Sequence, residues 1–260
     1  MGFSADWLSL RETADHAARD DGLLRQAAAA AGPAPVILDL GCGTGSTVRA
    51  LSPHLPDGAQ WRLVDNDAAL LSRAAQAAER SGARATVHDC DLAELDALPL
   101  QGVTLVTASA LLDLMPGTWV RALAAYLDVP FYAALSYDGR MEWQPETPED
   151  AAITEAFNRH QRGDKGIGPA LGPDAAPVAA EIFAASGFDV IRARSDWRLG
   201  AEQAPLQAEL VSGIATAAHE AGAAQAAEWG AARIAAAAQT ACMIGHGDML
   251  ALPANDGDRA

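Results

Sequence analysis

The stretch Val36-Ile37-Leu38-Asp39-Leu40-Gly41-Cys42-Gly43-Thr44-Gly45-Ser46 decides the reading of this chain. A buried apolar strand runs directly into a turn with glycine at alternate positions. Glycine lets backbone approach a ligand where a Cβ would clash. A second strand, Trp61-Arg62-Leu63-Val64, ends in Asp65, with Asn66 and Asp67 in the same turn. An acidic side chain at that strand end can accept hydrogen bonds from both ribose hydroxyls, so the pair of features predicts a bound nucleoside. Asp65 directly follows the strand and is favoured for that role, whereas Asp67 suits the N-cap of a helix beginning at Ala68.

The turn reads GxGxG, with Asp39 two residues ahead of Gly41, and it resembles motif I of the class I S-adenosylmethionine-dependent methyltransferases. The dinucleotide fingerprint GxGxxG would place glycine or alanine at position 46, where Ser46 stands. The resemblance implies S-adenosylmethionine as cofactor. Gly41, Gly43 and Gly45 would pass beside its methionine portion, Asp39 would organise water or its ammonium group, and Asp65 with Asn66 would meet the ribose. A third strand, Ala85–His88, leads into Asp89-Cys90-Asp91-Leu92, and the family places an acidic residue there against the adenine amino group. Asp91 with the amide of Leu92 leads for that role, and Asp89 follows. A fourth strand, Val103–Ala108, delivers Ser109 to the position the family sets beside the sulfonium. The chain lacks the Asn-Pro-Pro-Tyr and Pro-Cys motifs of enzymes that methylate nucleic-acid amino groups or cytosine carbon.

Strand and helix alternate through residue 135, with helices expected over 46–53, 68–81 and 116–128 and a fifth strand over 131–135. That alternation argues for an α/β fold: a Rossmann-like, doubly wound, mostly parallel sheet, with seven strands as in the family. Helical cap segments are added to it. The expected divisions are a helical lid over 1–31, a cofactor-binding core over 32–135 and a substrate-side insertion over 136–177. The rest of the sheet follows over 178–260, with a helical insertion at 200–240. In the lid, a break is expected at Asp21-Gly22. Asp15 and Arg19 stand at i and i+4, the spacing of a helical ion pair, and the alternative is that Arg19 faces the cofactor's carboxylate. Residues 252–260 read as a frayed tail.

Composition narrows the acceptor. The chain holds 34 acidic and 18 basic residues, a formal charge of −16, and Lys165 is its only lysine. Nucleic-acid affinity comes largely from neutralising phosphates, so DNA, RNA and anionic membranes are disfavoured and a small-molecule substrate is expected. No secretory leader or membrane span is apparent, which suggests a cytoplasmic protein. Cys42, Cys90 and Cys242 lack ligand spacing, and no metal site emerges. Oligomeric state is not legible.

Methyl transfer is an in-line displacement in which alignment is worth ~7–11 kcal/mol. A base is needed only for a protonated nucleophile. Asp113, just past the fourth strand, and His160, on a helix over 148–162, are the candidates, although Asp113 could equally orient its loop and His160 could be structural. Tyr137 and Arg140 after strand five, and Asp164 and Lys165 in a glycine-rich loop, are candidates for binding a charged substrate group. His246, on an expected edge or near-edge strand, reads as structural. O-methylation is the first expectation. A nicotinamide-dependent oxidoreductase, or a non-catalytic cofactor-binding subunit, are the alternatives.

Overall fold

The computed structural model describes residues 4–254. The chain opens with two helices, α1 (Ala5–Ala18) and α2 (Asp21–Ala30). Ser4 caps the first by accepting from the Trp7 amide, and Asp20 caps the second by accepting from the Leu23 amide. The break between them is therefore at Arg19-Asp20, two residues before the expected Asp21-Gly22, because Asp20 supplies the capping oxygen.

There follow β1 (Val36–Leu40), α3 (Ser46–Leu51), β2 (Gln60–Asp65), α4 (Ala68–Arg80), β3 (Arg84–Asp89), β4 (Leu105–Ser109) and α5 (Gly117–Tyr126). The remainder comprises β5 (Phe131–Gln144), α6 (Asp150–Gln161), α7 (Ala175–Ala185), β6 (Phe188–Arg194), β7 (Trp197–Leu199), α8 (Ala204–Glu220), α9 (Ala226–Ala236) and β8 (Ala241–Pro253). The strands form one sheet in the order β3-β2-β1-β4-β5-β8-β6, with β7 pairing onto β8. β1 to β5 are parallel, while β8 runs antiparallel to β5, β6 and β7.

The sheet has eight strands, not seven. The extra one, β7, is only Trp197-Arg198-Leu199, too short to show a period in sequence. β5 also continues to Gln144 where a loop was expected after 135, and β8 runs on to Pro253, so 252 and 253 are strand. Residues 1–3 of the lid and 255–260 of the expected tail lie outside the described residues. β8 sits between β5 and β6, so His246 lies on an interior strand.

Alternation of side chains along each strand builds two cores. Leu38, Leu40, Val106, Phe131 and Met249 pack on one face against α5 and α7. Ile37, Trp61, Leu63, Leu105 and Leu250 pack on the other against α2, α3 and α4. A third core arises because β5 and β8 outrun their neighbours. Tyr137, Trp143, Cys242 and Ile244 on that extension join Ile153 of α6, Trp197 of β7, Ile214 of α8 and Trp229 of α9. The cap is thus built on strands of the main sheet, above the carboxyl ends of β1, β2 and β4, where ligands of such folds bind.

Candidate active site

The turn after β1 is held in backbone conformations that favour glycine. Gly41, Gly43 and Gly45 have φ of 62°, 53° and 83°. The Gly43 amide donates to Asp65 Oδ2 at 2.9 Å, and the Asp67 amide to Asp65 Oδ1 at 3.1 Å. These bonds fix the Asp65 carboxylate at the end of β2, and each oxygen keeps a lone pair for a ligand hydroxyl. Asp67 caps α4 by accepting from Ala69 and Leu70. Asn66 is exposed between them.

Behind the turn lie two buried ionisable side chains, Asp39 and Arg19, close enough for the charge of one to act on the other. Asp39, 1% exposed, accepts from Thr107 Oγ1 at 2.7 Å, while its Oδ2 is buried without a partner. Burial pushes its carboxyl up to about 7, against the opposing effects of the Thr107 hydroxyl and the Arg19 charge. Arg19, 6% exposed, donates from Nη2 to Ser109 Oγ at 2.8 Å, yet its Nε and Nη1 are buried with no acceptor. The Asp15–Arg19 ion pair expected from the spacing is not formed. Asp15 is held by Arg11, at 2.9 Å, and by the Trp197 indole, at 3.0 Å, which turns Arg19 toward the sheet. Orphaned buried donors and acceptors are costly, and such atoms mark places for a ligand or water. A guanidinium with free N–H groups beside a carboxylate with a free oxygen fits an α-carboxylate and an α-ammonium. The residues present therefore fit the amino-acid end of S-adenosylmethionine.

On the far side of the glycine turn, Asp91 closes its own turn by accepting from the Ala93 amide. The Leu92 carbonyl accepts from the Trp119 indole at 2.6 Å, which pins that segment to α5. Asp89 ends β3 and is exposed.

A second group of the expected site residues begins where β4 ends. Ser109 leads to Ala110, whose φ of 50° is rare for a residue with a Cβ. A short turn over Leu112–Leu114 then carries Asp113. Burial pushes the Asp113 carboxyl up to about 6, against the charges of Arg11 and Lys165, and its Oδ1 is buried without a partner. Tyr137 donates from its hydroxyl to Asn158 Oδ1 at 2.7 Å. Arg140 is gripped by Asp138 at 2.8 Å and Asp196 at 2.6 Å. A bulge places that cluster opposite Gly245, where a Cβ would fall 2.0 Å from Asp138 Oδ1.

The glycine-rich loop is ordered by Asp164, whose Oδ1 accepts from the Gly166 and Gly168 amides. The Leu171 amide donates to the Met115 carbonyl at 2.9 Å, docking the loop beside the turn that carries Asp113. Lys165 Nζ donates to the His160 carbonyl at 3.2 Å, and His160 Nε2 lies 3.0 Å from Glu220. His160, Asp164, Lys165, Gly166 and Glu220 line a cavity of about 620 Å³. The structure thus gathers Asp39, Arg19, Ser109 and the glycine turn at one place. Tyr137, Asp113 and Lys165 lie beside it, and Asp164 and His160 stand at the outer wall.

Two neighbours, Arg11 and Leu8, escaped the sequence reading, and a third, His246, was read only as structural. Arg11 stacks over Trp197 at 4.8 Å and lies near Asp113. Its spacing from Asp15 was an i,i+4 signal that went to Arg19 instead. Leu8 of α1 covers the turn, since a Cβ on Gly43 would come within 3.2 Å of its Cδ1. His246 pairs in register with Tyr137 and packs edge-on against it, with ring centroids 6.2 Å apart. Its Nδ1 meets the Ile244 carbonyl at 3.0 Å and so carries the proton, and burial pushes the ring's pKa down to about 4, leaving it neutral.

Residues 37–129 match the family model of a methyltransferase domain. The fold is similar to that of the YcgJ protein from Bacillus subtilis, with 16% identity, 90% of this chain and 97% of that one covered, and a TM-score of 0.52. A Bacillus halodurans C-125 protein provisionally classed as a methyltransferase gives 13% identity, 90% and 98% coverage and a TM-score of 0.54. Geranyl diphosphate methyltransferase, solved with GPP and sinefungin, gives 15% identity, 89% and 76% coverage and a TM-score of 0.50. At these identities the likeness speaks for the fold alone. No curated protein matches the chain in sequence. Residues 37–129 thus match a methyltransferase domain, set within an α/β fold similar to those solved structures.

Proposed function

We propose that this chain binds S-adenosylmethionine in the cleft between β1, β4 and α1 and methylates a small molecule, with oxygen as the first choice of acceptor atom. The observation that carries the reading is the buried Arg19–Asp39 pair, each member with an orphaned atom, set directly behind the glycine turn. Arg19 and Ser109 would hold the cofactor's carboxylate and Asp39 its ammonium. Gly41 and Gly43 would border the methionine chain, and Asp65 the ribose. Asp91 and the Leu92 amide would border the base. When bound, the cofactor supplies an activated methyl on a sulfonium.

The protein's part is alignment and proton management. Asp113 follows the end of β4, and its raised pKa makes it a carboxyl that can accept a proton near neutrality from a hydroxyl held against it. Tyr137, fixed through Asn158, walls the acceptor side. α1 covers the glycine turn through Leu8, and Glu12 of that helix pairs with Arg49 of α3, so closure excludes water from the reacting groups. A small acceptor accords with the net charge of −16, and among the described residues no helix is long and apolar enough to cross a membrane.

The test is transfer of radiolabelled methyl from S-adenosylmethionine to a panel of small hydroxyl- and amine-bearing compounds. Label should appear in a hydroxyl-bearing product, and Asp113→Asn should slow transfer by roughly a hundredfold without changing cofactor affinity. Binding of the cofactor with no labelled product from any class of small molecule would refute the acceptor reading.

A further inference from the structure

The cavity of about 620 Å³ lies between α6, the loop over 163–171 and the end of α8, and five ionisable side chains converge on it: Arg159, His160, Asp164, Lys165 and Glu220. All five have partners. Asp164 accepts from two loop amides, Glu220 faces His160, and Arg159 leans on Glu155 at 3.5 Å. Lys165 makes no ion pair among the described residues, and one carbonyl, that of His160, accepts from its ammonium. Two N–H donors and a full charge are left over, on a side chain that is half-buried.

We infer that this cavity receives an acceptor bearing a single carboxylate, and that Lys165 is the group that holds it. This deepens the methyltransferase reading and rests on it. The ammonium is placed by a stiffened loop: Asp164 gathers the Gly166 and Gly168 amides, Lys165 N–H meets the Gly168 carbonyl, and Leu171 is tied to Met115. A preorganised charge costs little to use. The Leu171–Met115 bond docks the loop that carries Lys165 against the turn that carries Asp113, whose charge acts on the ammonium. A ligand anchored by its carboxylate at Lys165 would therefore extend toward Asp113. One unmatched cation suits a monoanion, whereas a dianionic phosphate would also meet Glu220 and Asp164. His160 Nε2 faces the Glu220 carboxylate at the wall of the cavity. The ligand that fits is a monocarboxylic acid.

Because Lys165 is the only lysine, it can be tested by chemistry on the whole native chain. Its acetylation by a water-soluble N-hydroxysuccinimide ester is followed by peptide mass spectrometry, with the N-terminal amine as internal control. 4-Hydroxybenzoate should slow labelling of Lys165 by roughly tenfold, the effect of one charge-assisted hydrogen bond, while 4-hydroxybenzamide leaves it unchanged. Equal protection by both, protection by neither, or a Lys165 that never reacts would each overturn the inference. Calorimetry should show 4-hydroxybenzoate binding lost in Lys165→Met and kept in Lys165→Arg; loss in neither variant would also overturn it. Running both experiments with and without S-adenosylhomocysteine separates the two claims. Failure of the cofactor product to bind removes the methyltransferase reading and leaves the protection result standing, whereas failure of protection with that product bound removes this inference alone.

Discussion

Substituting Asp39 by Asn should flatten the protein's stability between pH 5 and pH 8 by an amount the structure sets. Burial raises the Asp39 carboxyl from 3.8 to about 7. In the unfolded chain it titrates near its ordinary value. Between those two values the native state binds more protons than the unfolded state, so stability falls as pH rises, and the contribution of this group is gone above about pH 7. The whole shift is worth about 4 kcal/mol, and the part falling between pH 5 and pH 8 is about 2–3 kcal/mol. Asn keeps an oxygen to accept from Thr107, as Asp39 does at 2.7 Å, and it carries no charge to desolvate. Asp113 and Asp248, also raised by burial, slope the same way, while the depressed His246 slopes oppositely. All three are common to both proteins and cancel in the difference. The assay is urea unfolding of wild type and Asp39→Asn at half-unit pH intervals. The variant should gain on wild type steadily from pH 5 to pH 8. A difference that stays flat would refute the claim that Asp39 is desolvated behind the glycine turn.

Other expectations follow from the same geometry. Arg19→Met removes the unsatisfied Nε and Nη1 and should weaken S-adenosylhomocysteine binding by roughly ten- to a hundredfold in calorimetry, while thermal stability holds or rises. Gly43→Ala puts a Cβ at φ 53° and within 3.2 Å of Leu8, so it should cost about 1–2 kcal/mol in denaturation and weaken cofactor binding. Arg233→Met breaks a pair with Asp150 at 2.6 Å in the cap, and leaves that carboxylate without its cation; a loss of about 3–5 kcal/mol in urea unfolding is expected. In the methyl-transfer assay the rate should fall as pH drops through about 6, the raised value of Asp113, and Asp113→Asn should erase that limb.

The first half of the sheet was legible because each strand there is short, apolar and stopped by a turn residue with its own chemistry. Gly41, Asp65 and Ser109 end β1, β2 and β4 and announce the strand ends themselves. The second half was not legible for local reasons. Ser136-Tyr137-Asp138-Gly139-Arg140 looks like a loop, yet it is strand, because Asp138 and Arg140 neutralise each other and Asp196, far along the chain, completes the set. Trp197-Arg198-Leu199 is too brief to reveal a period and owes its pairing to Cys242–Ile244. Within the site, sequence named Arg19 and Asp39 separately. Their meeting depends on Asp15 being taken by Arg11 and Trp197, a choice among partners that spacing alone leaves open. The lid contact of Leu8 on Gly43 is likewise a tertiary fact, invisible in a helix of weak amphipathicity.

The most direct test of the account is calorimetric titration of the wild-type chain and Asp65→Ala with S-adenosylhomocysteine and, in parallel, NAD. The account predicts micromolar binding of the adenosyl ligand to wild type, marked weakening in Asp65→Ala, and no heat with NAD. Binding of NAD alone, or adenosyl binding that Asp65→Ala leaves unchanged, would contradict it.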